Sequence, residues 1–158
     1  MIEKIVVNTS PIIALGQMNV FEAIQKLQFQ YICPKEVEEE ISTGYKLGFP
    51  IHMPSFFEIL SLNSPLSTLI IATLDRGEAA VIQLAIEQNI KRVCIDDLKG
   101  RRAASSVGLE VIGSLGLIGK AKNLGIIKEI RPLIERAKTA GIFYNSKLIE
   151  TFLKQLGE

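Results

Sequence analysis

The chain has 158 residues, of which 47% are hydrophobic and 22% are charged. These values are typical of an ordinary globular protein, and we expect residues 1–158 to form a single domain. No run of 18 apolar residues occurs, so the sequence predicts no membrane-spanning helix. Cys33 and Cys94 both lie inside apolar runs, which predicts buried thiols in a reducing cytoplasm.

Charge is distributed unevenly along the chain, although its net value is only +1. Residues 1–90 carry 5 Lys and Arg against 10 Asp and Glu, whereas residues 91–158 carry 13 against 7. Acids followed by bases suit a metal site beside a rim that binds phosphate. For any single basic side chain, a solvated helix face is the better interpretation.

The predicted elements are short apolar runs that alternate with helical patterns. The predicted strands are 5–7, 31–33, 56–60, 92–95 and 109–112. The first helix is predicted to begin at Ser10-Pro11, with Ser10 as its N-cap. The other predicted helices are 35–42, 65–74, 75–89, 98–107, 115–123, 128–138 and 145–156. This alternation indicates an α/β fold, with helices on both faces of a mainly parallel sheet.

Polar side chains follow three of the predicted strands. Asn8 follows the first strand, an acidic helix follows the second, and Asp96-Asp97 follow the strand at 92–95. Ligands of parallel sheets bind outside the carboxyl ends of the strands, so these groups should face one crevice. Carboxylates gathered in a crevice repel one another unless a proton or a cation neutralises them. The pattern therefore predicts a divalent metal and, with it, phosphate chemistry.

The acids differ in how well a structural role explains them. Capping of the next helix explains Asp97 but leaves Asp96 unexplained, so this pair is the strongest candidate. Glu78 fits a capping box with Asp75 and fits a ligand role equally well, because it leads an almost uncharged helix. Of the acids in the helix that follows Pro34, Glu40 is expected to lean inward. The others are expected to be solvated.

Asn8 also has two interpretations. Its amide could bond to the backbone in an Asx-type turn. Its side-chain oxygen could instead bind a hard cation, without contributing a negative charge.

Taken together, these stretches resemble the PIN-domain family, and within it the VapC-like proteins of toxin–antitoxin pairs. The matching stretches are 6–13, Pro34-x-x-Val37-x-x-Glu40-Ile41, 77–85, Ile95-Asp96-Asp97, Arg101-Arg102-x-Ala104, 108–116, Ala121-Lys122 and Gly125. The likeness covers most of the chain. It implies a three-layer αβα sandwich and an endoribonuclease that uses Mg²⁺ or Mn²⁺ to cut single-stranded RNA.

The resemblance also implies roles for particular residues. It implies metal binding by Asn8, Glu40, Glu78, Asp96 and Asp97, the four acids being catalytic. It implies RNA-backbone contacts by Lys99, Arg101 and Arg102, and water positioning by Ser10 and Ser114. The partners it implies are a small antitoxin protein and a second copy of the chain, with the apolar helices 115–124 and 145–156 as candidate interfaces.

One position departs from the family pattern, which begins with Asp where this chain has Asn8. Loss of one charge should weaken metal binding. Two hypotheses therefore stand: a metal-dependent ribonuclease, and a weak or inactive PIN-like module that binds RNA or a partner protein.

Overall fold

The computed structural model describes residues 2–158, apart from the side chain of Ile70. Its strands are β1 Glu3–Val7, β2 Phe29–Pro34, β3 Glu58–Leu60, β4 Arg92–Cys94 and β5 Glu110–Ile112. They form one sheet in the order β3-β2-β1-β4-β5, and every neighbouring pair is parallel. The predicted α/β sandwich with a parallel sheet is confirmed.

Helices cover the sheet and connect its strands. They are α1 Thr9–Gln17, α2 Phe21–Gln25, α3 Lys35–Lys46, α4 Thr68–Ile71, α5 Arg76–Glu87, α6 Leu98–Ser106, α7 Ser114–Asn123, α8 Arg131–Thr139 and α9 Ser146–Gln155. Helix α5 packs on β1, β2 and β4 and contacts α3 and α6, while α1 contacts α7 and α8. None of the helices within residues 2–158 is long and apolar enough to cross a membrane.

The core explains the apolar runs. Ile5, Val6 and Val7 of β1 have no exposed surface, because the strand is central and both faces of the sheet are covered. Cys33 and Cys94 are free and fully buried, as predicted. Burial, with a smaller contribution from Glu38, raises the pKa of the Cys33 thiol to about 12, so this sulfur is unreactive near neutral pH.

Helix boundaries differ from the predictions in four places. The N-cap of α1 is Asn8 in an extended conformation, so the predicted Ser10 cap is wrong and Ser10 lies in the first turn. Helix α3 continues past Gly44, because one glycine is tolerated within a helix. Helix α4 has only 4 residues instead of the predicted 65–74. The short helix α2 was not predicted.

Candidate active site

The carboxyl ends of the parallel strands form one edge, and Asn8 lies at its centre. The backbone N–H of Asn8 donates to the Cys94 carbonyl at 3.0 Å, which joins the end of β1 to the end of β4. Asn8 is only 4% exposed, and its side chain does not cap α1. The backbone of Asn8 is therefore held beside the end of β4.

Asp97 is the N-cap of α6, as its sequence position suggested. Its Oδ2 accepts hydrogen bonds from the backbone N–H groups of Lys99 at 3.1 Å and Gly100 at 3.3 Å. The residue is exposed, and Oδ1 makes no hydrogen bond within the described chain. Capping therefore uses one oxygen and leaves the other accessible.

Asp96 is held by Ser114, the first residue of α7. The Ser114 N–H donates to Oδ1 and the Ser114 hydroxyl to Oδ2, both at 2.7 Å. Burial raises the pKa of Asp96, while the two Ser114 hydrogen bonds and the charge of Arg101 oppose that rise. Asp96 is therefore a fixed, half-buried group and not a solvated turn residue.

Glu78 uses only one of its carboxylate oxygens in the cap of α5. Its N–H donates to Asp75 Oδ1 at 2.8 Å and its Oε1 accepts from the Asp75 N–H at 3.4 Å, which completes the capping box of α5. Its Oε2 is buried and has no hydrogen-bond partner in the described structure. Burial, the Asp75 side chain and the charge of Asp97 raise the pKa of Glu78 to about 7.

Glu40 approaches the same edge from α3. The residue is exposed overall, yet its carboxylate lies against the backbone of Gly77, where a methyl group would overlap Glu40 Oε1. Burial and the charge of Asp75 raise the pKa of Glu40, whereas Thr9 and Arg76 lower it. Glu40 thus leans towards the start of α5. The expectation that the other acids of α3 are solvated is wrong for Glu36 and Glu38, which are half-buried, whereas Glu39 and Glu40 are exposed.

Three of the acids share one arrangement, in which each carboxylate faces the first turn of a later helix. Glu40 lies against Gly77 of α5, Glu78 Oε2 against Gly100 of α6, and Asp96 is bonded at the start of α7. The positive ends of the helix dipoles favour negative groups at such places. The acids therefore form a row along the edge. No group of three His, Cys, Asp or Glu side chains within residues 2–158 lies close enough to hold an ion as it stands.

Glycines make this row possible. A methyl group on Gly100 would lie 2.5 Å from Glu78 Oε2, and one on Gly113 would lie 2.9 Å from Asp96 Oδ1. Side chains at these positions would push the carboxylates away. Sequence reasoning missed this requirement, since a glycine near a helix start resembles an ordinary turn residue.

The basic candidates on α6 divide into two groups. Lys99 and Arg102 are exposed. Arg101 is half-buried, donates to the Ile95 carbonyl at 2.9 Å and faces Asp96, so much of its guanidinium is used inside the protein.

A cleft of about 980 Å³ opens beside Asp96 and Asp97. Ser10 lies on its wall and is exposed, whereas Ser114 is fully buried. The cleft is also lined by Tyr144, whose hydroxyl lies 2.8 Å from Ser114 Oγ. Sequence reasoning missed Tyr144, because its contact with Ser114 spans 30 residues and no local spacing reveals it.

Comparison with protein families decides what kind of fold this is. Residues 4–158 match DUF3368, a family described as a PIN domain. This chain belongs to the PIN-domain family. The predicted resemblance to the PIN-domain family is therefore confirmed. PIN domains are a nuclease fold, are associated with nucleic-acid binding and generally depend on divalent metals.

A solved structure has the same PIN fold. It is a PilT N-terminus domain protein, SSO1118, from the hyperthermophilic archaeon Sulfolobus solfataricus P2. The likeness covers 75% of this chain and 92% of that chain, with 15% sequence identity and a TM-score of 0.55. At this identity the likeness establishes the fold alone. A search of curated proteins finds no match.

The carboxyl edge of the sheet offers oxygen atoms of the kind that bind a divalent cation. Its candidate ligands are carboxylate and amide oxygens, which hard cations such as Mg²⁺ prefer. The buried Oε2 of Glu78 makes no hydrogen bond within the described residues. A buried carboxylate oxygen without a partner is costly, and a cation would compensate it. The chemistry of the donors fits such an ion, whereas no three of the acidic side chains within residues 2–158 converge on one point.

Proposed function

We propose that this PIN domain is a metal-dependent endoribonuclease that cuts single-stranded RNA, as the toxin of a toxin–antitoxin pair. The observation that carries the proposal is the buried, unpartnered Oε2 of Glu78 within a row of acids at the carboxyl edge of the sheet. A buried carboxylate oxygen without a hydrogen-bond partner is rare, and a bound divalent cation would compensate it.

The ion would be Mg²⁺ or Mn²⁺, held by Glu78, Asp96 and Asp97 with Glu40 and Asn8 alongside. When bound, it would polarise the scissile phosphate and lower the pKa of the attacking water. Capping leaves Oδ1 of Asp97 and Oε2 of Glu78 available for this task. In this proposal Ser10, exposed on the cleft wall, positions water, and Ser114 acts by holding Asp96.

Two surfaces support an RNA substrate. Lys99 and Arg102 are exposed on α6 and could hold the backbone, while Arg101 contributes charge from a half-buried position. Phe143 lies at the cleft and is 79% exposed. An exposed aromatic ring can stack on a base only if that base is unpaired, which favours a single strand.

The partners are proposals of the same kind. A homodimer would use α9 and not α7, because Leu117 and Ile118 of α7 are fully buried within the chain. Leu148 of α9 is 53% exposed and remains available. We propose a cytoplasmic location, where Cys33 and Cys94 would stay reduced.

The test is cleavage of a labelled single-stranded RNA with Mn²⁺ or Mg²⁺, and with EDTA as the metal-free control. We expect Asp96→Asn and Asp97→Asn each to lower the rate at least about 100-fold, since each removes a proposed ligand charge. Asn caps a helix about as well as Asp, so Asp97→Asn should stay folded. Equal rates for the wild type and both variants would reject the mechanism.

The second candidate is a PIN-like module that binds RNA or a protein without cutting. It is favoured by Asn8, which supplies no charge, and by the absence of three converging acids within residues 2–158. Calorimetric titration with Mn²⁺ separates the two, because only the enzyme requires a saturable site. If Asn8→Asp switches on cleavage that the wild type lacks, the native chain is the binding module.

A further inference from the structure

Tyr144 is joined to the acidic row by a chain of two hydrogen bonds. Its hydroxyl lies 2.8 Å from Ser114 Oγ, and Ser114 Oγ lies 2.7 Å from Asp96 Oδ2. An ionised carboxylate only accepts hydrogen bonds, and a serine hydroxyl has one hydrogen to donate. Ser114 therefore donates to Asp96, and the Tyr144 hydroxyl donates to Ser114. Donor and acceptor of both hydrogen bonds are therefore fixed by the chemistry of the groups.

These two hydrogen bonds control how the Asp96 carboxylate is held. Ser114 bonds both carboxylate oxygens, one through its N–H and one through its hydroxyl. The N–H is fixed by the start of α7, but a serine hydroxyl can rotate among several directions. The hydrogen bond from Tyr144 occupies an acceptor site of Ser114 Oγ and turns the hydroxyl hydrogen towards Asp96. Hydrogen bonds in such chains also strengthen one another.

The surroundings of Tyr144 suit this role. It lies between α8 and α9, far along the chain from the acids, and it lines the cleft beside Asp96. The hydroxyl bonds to no residue other than Ser114 within the described chain. Its single polar contact is therefore directed at the group that holds Asp96.

We propose that Tyr144 is a positioning residue, which fixes the Asp96 carboxylate through Ser114 and so prepares it to bind the metal. The inference rests on the proposed function for its consequence, but the holding of Asp96 can be measured without metal. Groups that orient metal ligands typically contribute about 10–100-fold to metal affinity.

The variant is Tyr144→Phe, which removes only the hydroxyl. The matched control is Tyr45→Phe, since Tyr45 is 46% exposed, contacts the ring of His52 at a tilted angle and makes no hydrogen bond through its hydroxyl within residues 2–158. The first measurement is the NMR shift of the Ser114 amide proton in EDTA, because this N–H donates directly to Asp96. We expect the resonance to move in Tyr144→Phe and to stay in place in Tyr45→Phe.

The second measurement is Mn²⁺ affinity, followed by electron paramagnetic resonance. We expect about tenfold weaker binding in Tyr144→Phe and in Ser114→Ala. The double variant should bind no more weakly than Ser114→Ala alone, because Tyr144 acts only through Ser114. A purely structural tyrosine would instead give additive losses.

The outcomes separate the two proposals. An unmoved Ser114 resonance in Tyr144→Phe, or additive losses in the double variant, overturns the role of Tyr144. If the wild type binds no Mn²⁺, the proposed function fails. In that case the Ser114 amide resonance still tests whether Tyr144 helps to hold Asp96: a shift in Tyr144→Phe supports it, and no shift contradicts it.

Discussion

Glu78 uses its two carboxylate oxygens in different ways, so the residue can cap α5 and still offer an oxygen for the ligand role that we propose. Oε1 completes the capping box of α5, while Oε2 is buried without a partner in the described structure. Capping requires only an acceptor oxygen, which a glutamine also has. The negative charge adds a small favourable interaction with the start of α5, but the cost of burying it without a partner is larger, so it lowers the stability of the metal-free protein.

Glu78→Gln is accordingly expected to stabilise the metal-free protein at pH 8. The variant keeps the acceptor of the capping box and removes the buried charge, so we expect a gain on the order of 1 kcal/mol in the free energy of unfolding. Urea unfolding in EDTA measures it. Glu135→Gln, at an exposed position on α8, is the control and should change little. A loss of stability in Glu78→Gln would show that the carboxylate has a partner after all.

Gly100 provides a second residue-scale prediction. A methyl group there would lie 2.5 Å from Glu78 Oε2 and 2.9 Å from Ile95 Cγ2, so Gly100→Ala should displace the carboxylate. We expect the variant to lose about 1–3 kcal/mol of stability and to bind Mn²⁺ more weakly. The control is Gly44→Ala, whose new methyl group would lie 3.7 Å from Phe49 and should stabilise α3 by about 0.5–1 kcal/mol. If Gly100→Ala and Gly44→Ala change stability and Mn²⁺ binding alike, the overlap with Glu78 is not the cause.

At the scale of elements, a carboxylate also lies at the start of a helix outside the acidic row. The carboxylate of Glu158 accepts hydrogen bonds from the backbone N–H groups of Ile130 at 2.8 Å and Arg131 at 3.1 Å. Helix α8 has no side-chain cap of its own at Ile130. Glu158 therefore performs the task of a missing N-cap residue and also forms a 2.6 Å salt bridge with Lys122.

Glu158→Gln should lower the free energy of unfolding by about 1–2 kcal/mol, because it replaces a charged acceptor by a neutral one at a helix start. Glu150→Gln on α9 is exposed and serves as the control. Thermal unfolding of the two variants gives the comparison. Equal melting temperatures would mean that the distant cap contributes no stability.

The segment between α8 and α9 offers a prediction about the substrate. Phe143 is 79% exposed at the cleft, so Phe143→Ala should weaken binding of a single-stranded RNA about tenfold if one base stacks on the ring. Fluorescence anisotropy in EDTA measures binding without cleavage. Leu124→Ala removes a side chain of similar exposure, 67%, away from the cleft. Equal affinities of the two variants would exclude stacking on Phe143.

Secondary-structure elements were predictable where the sequence pattern that specifies them lies within a few neighbouring residues. Each predicted strand exists, because the central strands β1, β2 and β4 carry buried apolar runs and the edge strands β3 and β5 carry partly buried ones. Asp75 and Asp97 were predictable as caps, since capping depends on residues two or three positions apart. The 5-residue helix α2 and the contact between Tyr144 and Ser114 lacked such signals, because tertiary packing creates them.

At the scale of the whole molecule, the carboxyl edge links stability to pH and to metal. Glu40, Glu78 and Asp96 all have a raised pKa in the folded protein, mainly because folding removes part of the water around each carboxyl group. Between the pKa of an unfolded carboxyl, about 4, and the folded value of about 7 for Glu78, the folded state binds more protons than the unfolded state. Stability should therefore fall as pH rises through this window.

The metal-free protein is thus expected to be less stable at pH 8 than at pH 5, by on the order of 1–2 kcal/mol, as measured by urea unfolding in EDTA. Mn²⁺ should reverse the trend, since it binds the ionised carboxylates of the folded state and adds stability as its concentration rises above its dissociation constant. In Glu78→Gln both the pH dependence and the response to Mn²⁺ should shrink, because one change removes both the titrating group and the proposed ligand. A wild-type protein whose stability rises from pH 5 to pH 8 in EDTA would contradict the raised pKa values. A wild-type protein whose stability does not change when Mn²⁺ is added would contradict the metal site.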